Sequence, residues 1–120
     1  AAALPLDAVE ILAIDMGAVG DDLGTDEYNV SICAKDSSGP YNYEVTTKLI
    51  ELAESNQLNY AVAIYPFYSS DASAAILAGA NLKHALIGPG VSASHGYERI
   101  HYEGIEATYN LLQSYIYISQ

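Results

Sequence analysis

Two polar residues stand where chemistry needs them. Asp15 closes an apolar run, VEILAIDM (residues 9–16), just before Gly17, and His95 lies in the stretch HALIGPGVSASHGYE (residues 84–98). An ionised carboxylate at the end of a buried strand costs on the order of several kcal/mol unless it is paired, hydrogen-bonded or bound to a metal, so Asp15 calls for a partner. The second stretch reads as an apolar strand over residues 84–87, a turn at Gly88, Pro89 and Gly90, and a small-residue loop that ends on an imidazole, with Tyr97 and Glu98 close behind it. A carboxylate oxygen and an imidazole nitrogen together form the mixed donor set used for Zn²⁺, Co²⁺ or Mn²⁺. Two donors do not complete a site. A catalytic zinc takes about three protein ligands, and a bridged pair of ions takes more.

The elements that must position these groups follow from periodicity. Residues 9–16 are a nearly continuous apolar run, the pattern of a strand buried on both faces. GAVGDDLGTDE carries three glycines and four acids and reads as a loop. Residues 28–35 alternate, with Tyr28, Val30, Ile32 and Ala34 on one face, and predict a second strand. Asn42 can cap a helix whose stripe is Val45, Leu49, Leu52 and Ala53, ending by Asn56. YAVAIY (residues 60–65) is a third strand, closed by Pro66. Ser70 can cap a second helix over residues 71–77, with Asp71 at the positive end of its dipole. The strand at 84–87 follows. A last helix is predicted over residues 102–115, with Ile105, Tyr109, Leu112 and Ile116 at helical spacing.

The order β-β-α-β-α-β-α predicts an α/β fold, a three-layer arrangement of a parallel or mixed sheet covered by helices, with residues 1–120 forming one unit. Ligands in such sheets sit beyond the carboxyl ends of the strands. Asp15 ends the first strand and the His95 loop follows the last, so both are expected at one rim.

Composition limits the partners. Fifteen acidic residues against four basic ones give a formal charge of −11, which repels nucleic acid and anionic membranes and favours cations. No like-charge run of the length typical of an interaction tail occurs, so most of the acid reads as a solvated face. The one cysteine, Cys33, falls within an apolar alternating run and reads as core, consistent with a reducing, cytoplasmic setting. No apolar run approaches the roughly 18 residues of a membrane span. The chain opens on AAALPLDAVE, without an initiator methionine and leading at once into a strand, as expected of a piece of a longer protein.

Three motifs in order, the IDMG strand with its acidic glycine loop, FYSSDASAA, and IGPGVSASHGYE, resemble the C-terminal part of the catalytic domain of the TET-type di-metal aminopeptidases, also labelled glutamyl aminopeptidases. The resemblance covers nearly the whole chain. It implies a fragment of a larger metallopeptidase catalytic domain, with two divalent ions (zinc or cobalt first) in the complete enzyme. It places one metal ligand on Asp15 and one on His95. The bridging aspartate, a further histidine, a further glutamate ligand and the general-base glutamate lie upstream in that family, so no catalytic residue is expected within residues 1–120. The same resemblance implies peptide substrates with a free N-terminus and a homo-oligomeric full-length protein. Asp71 fills the aspartate of a Gly-Thr-Asp-Ala or Gly-Ser-Asp-Ala motif, with Ser69 at the glycine position, and is a candidate for ordering a loop behind the metals. Tyr97 beside the metal histidine is a candidate for facing substrate, as is Arg99.

Other groups carry plainer readings. His84 begins a strand and His101 precedes a helix, and neither is expected to bind metal. Asp21, Asp22, Asp26 and Glu27 lack the spacing of an EF-hand and read as a solvated loop. LAIDMG is similar to the strand and phosphate turn of actin-like ATP-binding domains, but Ala18 and Val19 replace the expected hydroxyl and two acids follow Gly20. A glycosidase would need a clear pair of acids, and none stands out. The reading outside enzymology is a structural or interaction fragment of the same fold.

Overall fold

The computed structural model describes residues 10–15, 17–18, 28–37, 39–65, 82–92 and 99–119. The elements are β1 (Glu10–Ile14), β2 (Gly17–Ala18), β3 (Val30–Asp36), β4 (Gly39–Pro40), α1 (Tyr43–Ser55), β5 (Tyr60–Tyr65), β6 (Lys83–Ser92), β7 (Arg99–Ile100) and α2 (Tyr102–Ser119). The predicted helix over residues 71–77 falls outside the described residues.

β6 is the central strand of a mixed sheet. It runs parallel to β1, from Glu10↔Lys83 to Ile14↔Ile87, and antiparallel to β3, with Ile32 opposite Ile87. β3 in turn runs parallel to β5. Ala85, Leu86 and Ile87 are all buried, as expected of a strand covered on both faces.

α1 and α2 cover one face. Val45, Leu49, Leu52 and Ala53 of α1 and Ala107, Leu111 and Tyr115 of α2 pack on Val30, Ile32, Ala85 and Ile87. The opposite face carries a smaller cluster of Cys33, Tyr41, Ala63 and Leu86, with Ile11 and Ala13 packed against it. Cys33 is therefore core, as its place in an apolar run predicted.

α1 starts where the sequence placed it, because the Asn42 side chain accepts a hydrogen bond from the Val45 N–H at 3.0 Å. That bond satisfies one of the donors left open in a first helical turn. At the far end, the Asn56 N–H donates to the Leu52 carbonyl at 3.1 Å, and Gln57 takes a positive φ of 55° to turn the chain out.

Some predicted features differ. β1, expected to be buried on both faces, is only partly buried and its Ile14 is 51% exposed, because among the described residues β1 is flanked on one side only, by β6. The Gly88-Pro89-Gly90 turn is strand: β6 continues to Ser92, because Val30 of β3 pairs with Pro89 on one side and Gly17 of β2 pairs with Gly90 on the other. Partners across the sheet override the local preference of Gly and Pro for a turn. The last helix runs to Ser119, and its buried stripe is Gly104, Ala107, Thr108, Leu111 and Tyr115 rather than Ile105, Tyr109, Leu112 and Ile116. Both stripes have helical period. The small residues Gly104 and Ala107 let the helix lie close to the sheet, and the Tyr115 hydroxyl bonds to the Glu10 carboxylate on β1, which selects the smaller-residue face. Lys48 of α1 sits 5.8 Å over the Tyr115 ring and ties the two helices together there.

Candidate metal centre

Asp15 follows directly on β1 and sits at the rim where β1 and β6 both end their shared ladder. Its N–H donates to the Ile87 carbonyl at 3.0 Å, so the β1–β6 pairing carries one residue past the strand and fixes the Asp15 backbone. Its neighbour across that pairing is Gly88. A Cβ placed on Gly88 would fall 1.3 Å from the Asp15 carbonyl oxygen and 2.6 Å from its carbonyl carbon, which no side chain permits. Glycine at 88 is thus what lets the two backbones meet. Sequence reading took Gly88 for turn punctuation. Its real duty is close approach, a role that a glycine within a strand commonly signals.

Asp15 is solvent-exposed, so the cost expected of a carboxylate buried at a strand end does not fall on it, and its side chain is open to solvent and to an ion. An oxygen donor on a backbone held by a ladder bond meets the chemical requirement of a hard or borderline divalent ion. Beyond it, Gly17 and Ala18 run beside Gly90 and Val91. On the other side of β6, Val91 pairs with Ile100 and Ser92 with Arg99 in antiparallel register. Ser92, which ends β6, and Arg99, which begins β7, thus lie toward the same end of β6 as Asp15, four residues further along the strand than Gly88. His95 and Tyr97 themselves lie within residues 93–98, outside the described residues, and so does Asp71. Among the described residues no group of three or more His, Cys, Asp or Glu side chains could hold a metal ion.

β5 is parallel to β3 and β3 antiparallel to β6, so Tyr65, from which the chain leads on toward Asp71, ends β5 at the opposite end of the sheet from Asp15.

His84 is the second residue of β6, and His101 directly precedes α2. His101 accepts a hydrogen bond on Nδ1 from the Glu103 N–H at 3.1 Å, serving as a cap for α2, and packs against Tyr28 in a tilted arrangement with 4.4 Å between ring centres. His84 lies against Tyr41 at 4.7 Å. Burial pushes the His84 imidazole below its ordinary pKa, while the nearby Asp36 charge pulls the other way. Asp36 is only 2% exposed and accepts a hydrogen bond from the Tyr41 hydroxyl. This Asp36–Tyr41–His84 group escaped sequence reading. A bulge between Cys33 and Lys35 shifts the β3 register and brings Asp36 onto the Cys33 face, and simple alternation cannot foresee that.

Comparison with known proteins gives a consistent picture. The family model for the M42 glutamyl aminopeptidases matches residues 1–111. The chain is 52% identical over 113 residues to YhfE, a provisionally named aminopeptidase of Bacillus subtilis (strain 168), covering 94% of this chain and 33% of that protein. Among solved structures, the TET1 peptidase of Pyrococcus horikoshii, which can assemble into a tetrahedron or a large octahedral shell, superposes with a TM-score of 0.78 at 22% identity, over 89% of this chain and 32% of that one. An aminopeptidase from the archaeon Desulfurococcus kamchatkensis gives 0.76 at 19% identity, over 88% and 33%. The structural matches establish the fold. The chain spans about a third of the length of each of these relatives.

Proposed function

Because the chain belongs to the M42 glutamyl aminopeptidase family, we propose that it forms the C-terminal part of the catalytic domain of a metal-dependent aminopeptidase that removes residues from the free N-terminus of peptides. The observation that supports this reading is that Asp15 and the residues on either side of 93–98, Ser92 and Arg99, all lie toward the same end of β6. Asp15 would hold one divalent ion through its carboxylate, and His95 would hold the second through its imidazole. When bound, such ions would supply Lewis-acid chemistry, lowering the pKa of a bound water and polarising a carbonyl.

Within this chain, the ladder bond to Ile87 fixes the Asp15 backbone, so only its side chain is left to order when an ion binds. Asp71 and Tyr97 are assigned to supporting and substrate-facing roles. The general base and the remaining ligands come from polypeptide outside residues 1–120, so the isolated stretch is inactive. The full-length protein is a homo-oligomer, a reading supported by the shells that its structural relatives form.

Hydrolysis of an aminoacyl-anilide by the full-length protein tests the reading. Activity should vanish on chelation and return with zinc or cobalt. Hydrolysis that persists after exhaustive chelation would overturn it.

A further inference from the structure

The chain that carries His95 rejoins the sheet at Arg99, and the backbone hold at that point is slight. β7 is 2 residues long, with Ile100 opposite Val91 and Arg99 opposite Ser92. A pairing that short is marginal by itself. The residue that follows is fixed more firmly. His101 caps α2: its Nδ1 accepts from the Glu103 N–H at 3.1 Å, and its carbonyl accepts from the Gly104 N–H at 3.1 Å. These bonds fix both the ring and the backbone of His101.

The fixed ring then meets Tyr28. Their centres are 4.4 Å apart and their planes are tilted by 53°, close to the geometry that aromatic pairs favour. Tyr28 directly precedes Asn29, whose carbonyl accepts from the Gly90 N–H of β6 at 3.4 Å, and Gly90 adjoins Val91, the partner of Ile100. A closed circuit results. β6 holds β7, β7 leads into His101, His101 packs on Tyr28, and Tyr28 is tied through Asn29 back to β6. The other links are backbone, whereas the Tyr28–His101 link is made by side chains.

Neither residue type is needed for local structure alone. Ser, Thr, Asp or Asn is the usual cap of a first helical turn, so an imidazole there calls for a second duty. Tyr28 is 48% exposed and packs in neither of the two core clusters, so its contact with His101 is a local tie rather than part of the core.

We propose that Tyr28 and His101 are positioning residues for the metal-binding segment, setting where the chain that follows His95 rejoins the sheet. The inference rests on the proposed role of His95 as a ligand and extends it. A ligand must be held to within about half an ångström of its productive place. Loss of a group that orients a ligand typically costs about 10–100-fold in metal affinity.

The test is calorimetric zinc titration of the full-length protein, with His95→Ala identifying the binding step that depends on that ligand. Tyr28→Ala, and His101→Asn with its capping side chain kept, should each weaken that step about tenfold and leave the other step at the parent's value. Because each removes the same contact, the double variant should bind about as the single variants do. Tyr28→Phe, which keeps the ring, should retain the parent's affinity. Unchanged affinity in both single variants, losses that add in the double variant, or equal losses in Tyr28→Phe and Tyr28→Ala would each overturn the proposal. If His95→Ala keeps both steps, the ligand assignment falls and this inference with it. If His95→Ala loses a step while Tyr28→Ala and His101→Asn bind as the parent does, the ligand stands and only the positioning role is removed.

Discussion

Asp15 and Gly88 meet backbone to backbone: a Cβ at Gly88 would stand 1.3 Å from the Asp15 carbonyl oxygen, while the Asp15 N–H is bonded to the carbonyl of Ile87, the residue before that glycine. The position of the proposed ligand is thus set by a residue with no functional group of its own.

Gly88→Ala should push the Asp15 backbone off β6. Because the clash is with backbone, the cost should reach or exceed the upper end of the about 1–3 kcal/mol typical of overpacking. Divalent-metal affinity of the full-length protein should fall at least tenfold while its far-ultraviolet circular dichroism stays that of the parent. Unchanged affinity, measured by calorimetric titration, would mean that Asp15 is free of Gly88 or is no ligand.

Tyr41→Phe removes the hydroxyl that donates to the buried Asp36 carboxylate. Loss of a hydrogen bond to a buried charged group should cost about 1–3 kcal/mol in urea unfolding. Peptidase activity should follow stability only, since Asp36 and Tyr65 lie at the end of the sheet opposite Asp15.

His84 gives a pH dependence whose sign is fixed by its surroundings. Burial holds its folded-state pKa below the ordinary 6.5, against a smaller upward pull from Asp36. The unfolded chain therefore takes up the proton first as pH falls. Stability from this group is fully present above pH 6.5 and is lost as pH falls through the lower folded-state value. Urea midpoints measured on either side of pH 6.5 should show the loss, and His84→Leu should flatten that part of the profile. A midpoint that rises on acidification would contradict the assignment.

Much of this fold was legible in the sequence because its signals were local. The Asn42 cap, the α1 stripe and the YAVAIY strand each depend on neighbours along the chain, and each stands where it was read. The misreadings came from partners far away in sequence. Gly88, Pro89 and Gly90 form strand because β2 and β3 flank them. α2 turns its larger apolar residues outward because Tyr115 reaches Glu10 across the sheet. The same reason governs the site: Asp15 was recognisable as a carboxylate out of place in an apolar run, but its dependence on Gly88 appears only once β1 and β6 are paired.

The metal content of the full-length Asp15→Ala protein tests the central claim most directly. The parent should carry two divalent ions per chain, and the variant should lose at least one of them together with aminoacyl-anilide hydrolysis, with its fold intact by circular dichroism. A variant that keeps the parent's metal content and hydrolysis rate would contradict the account.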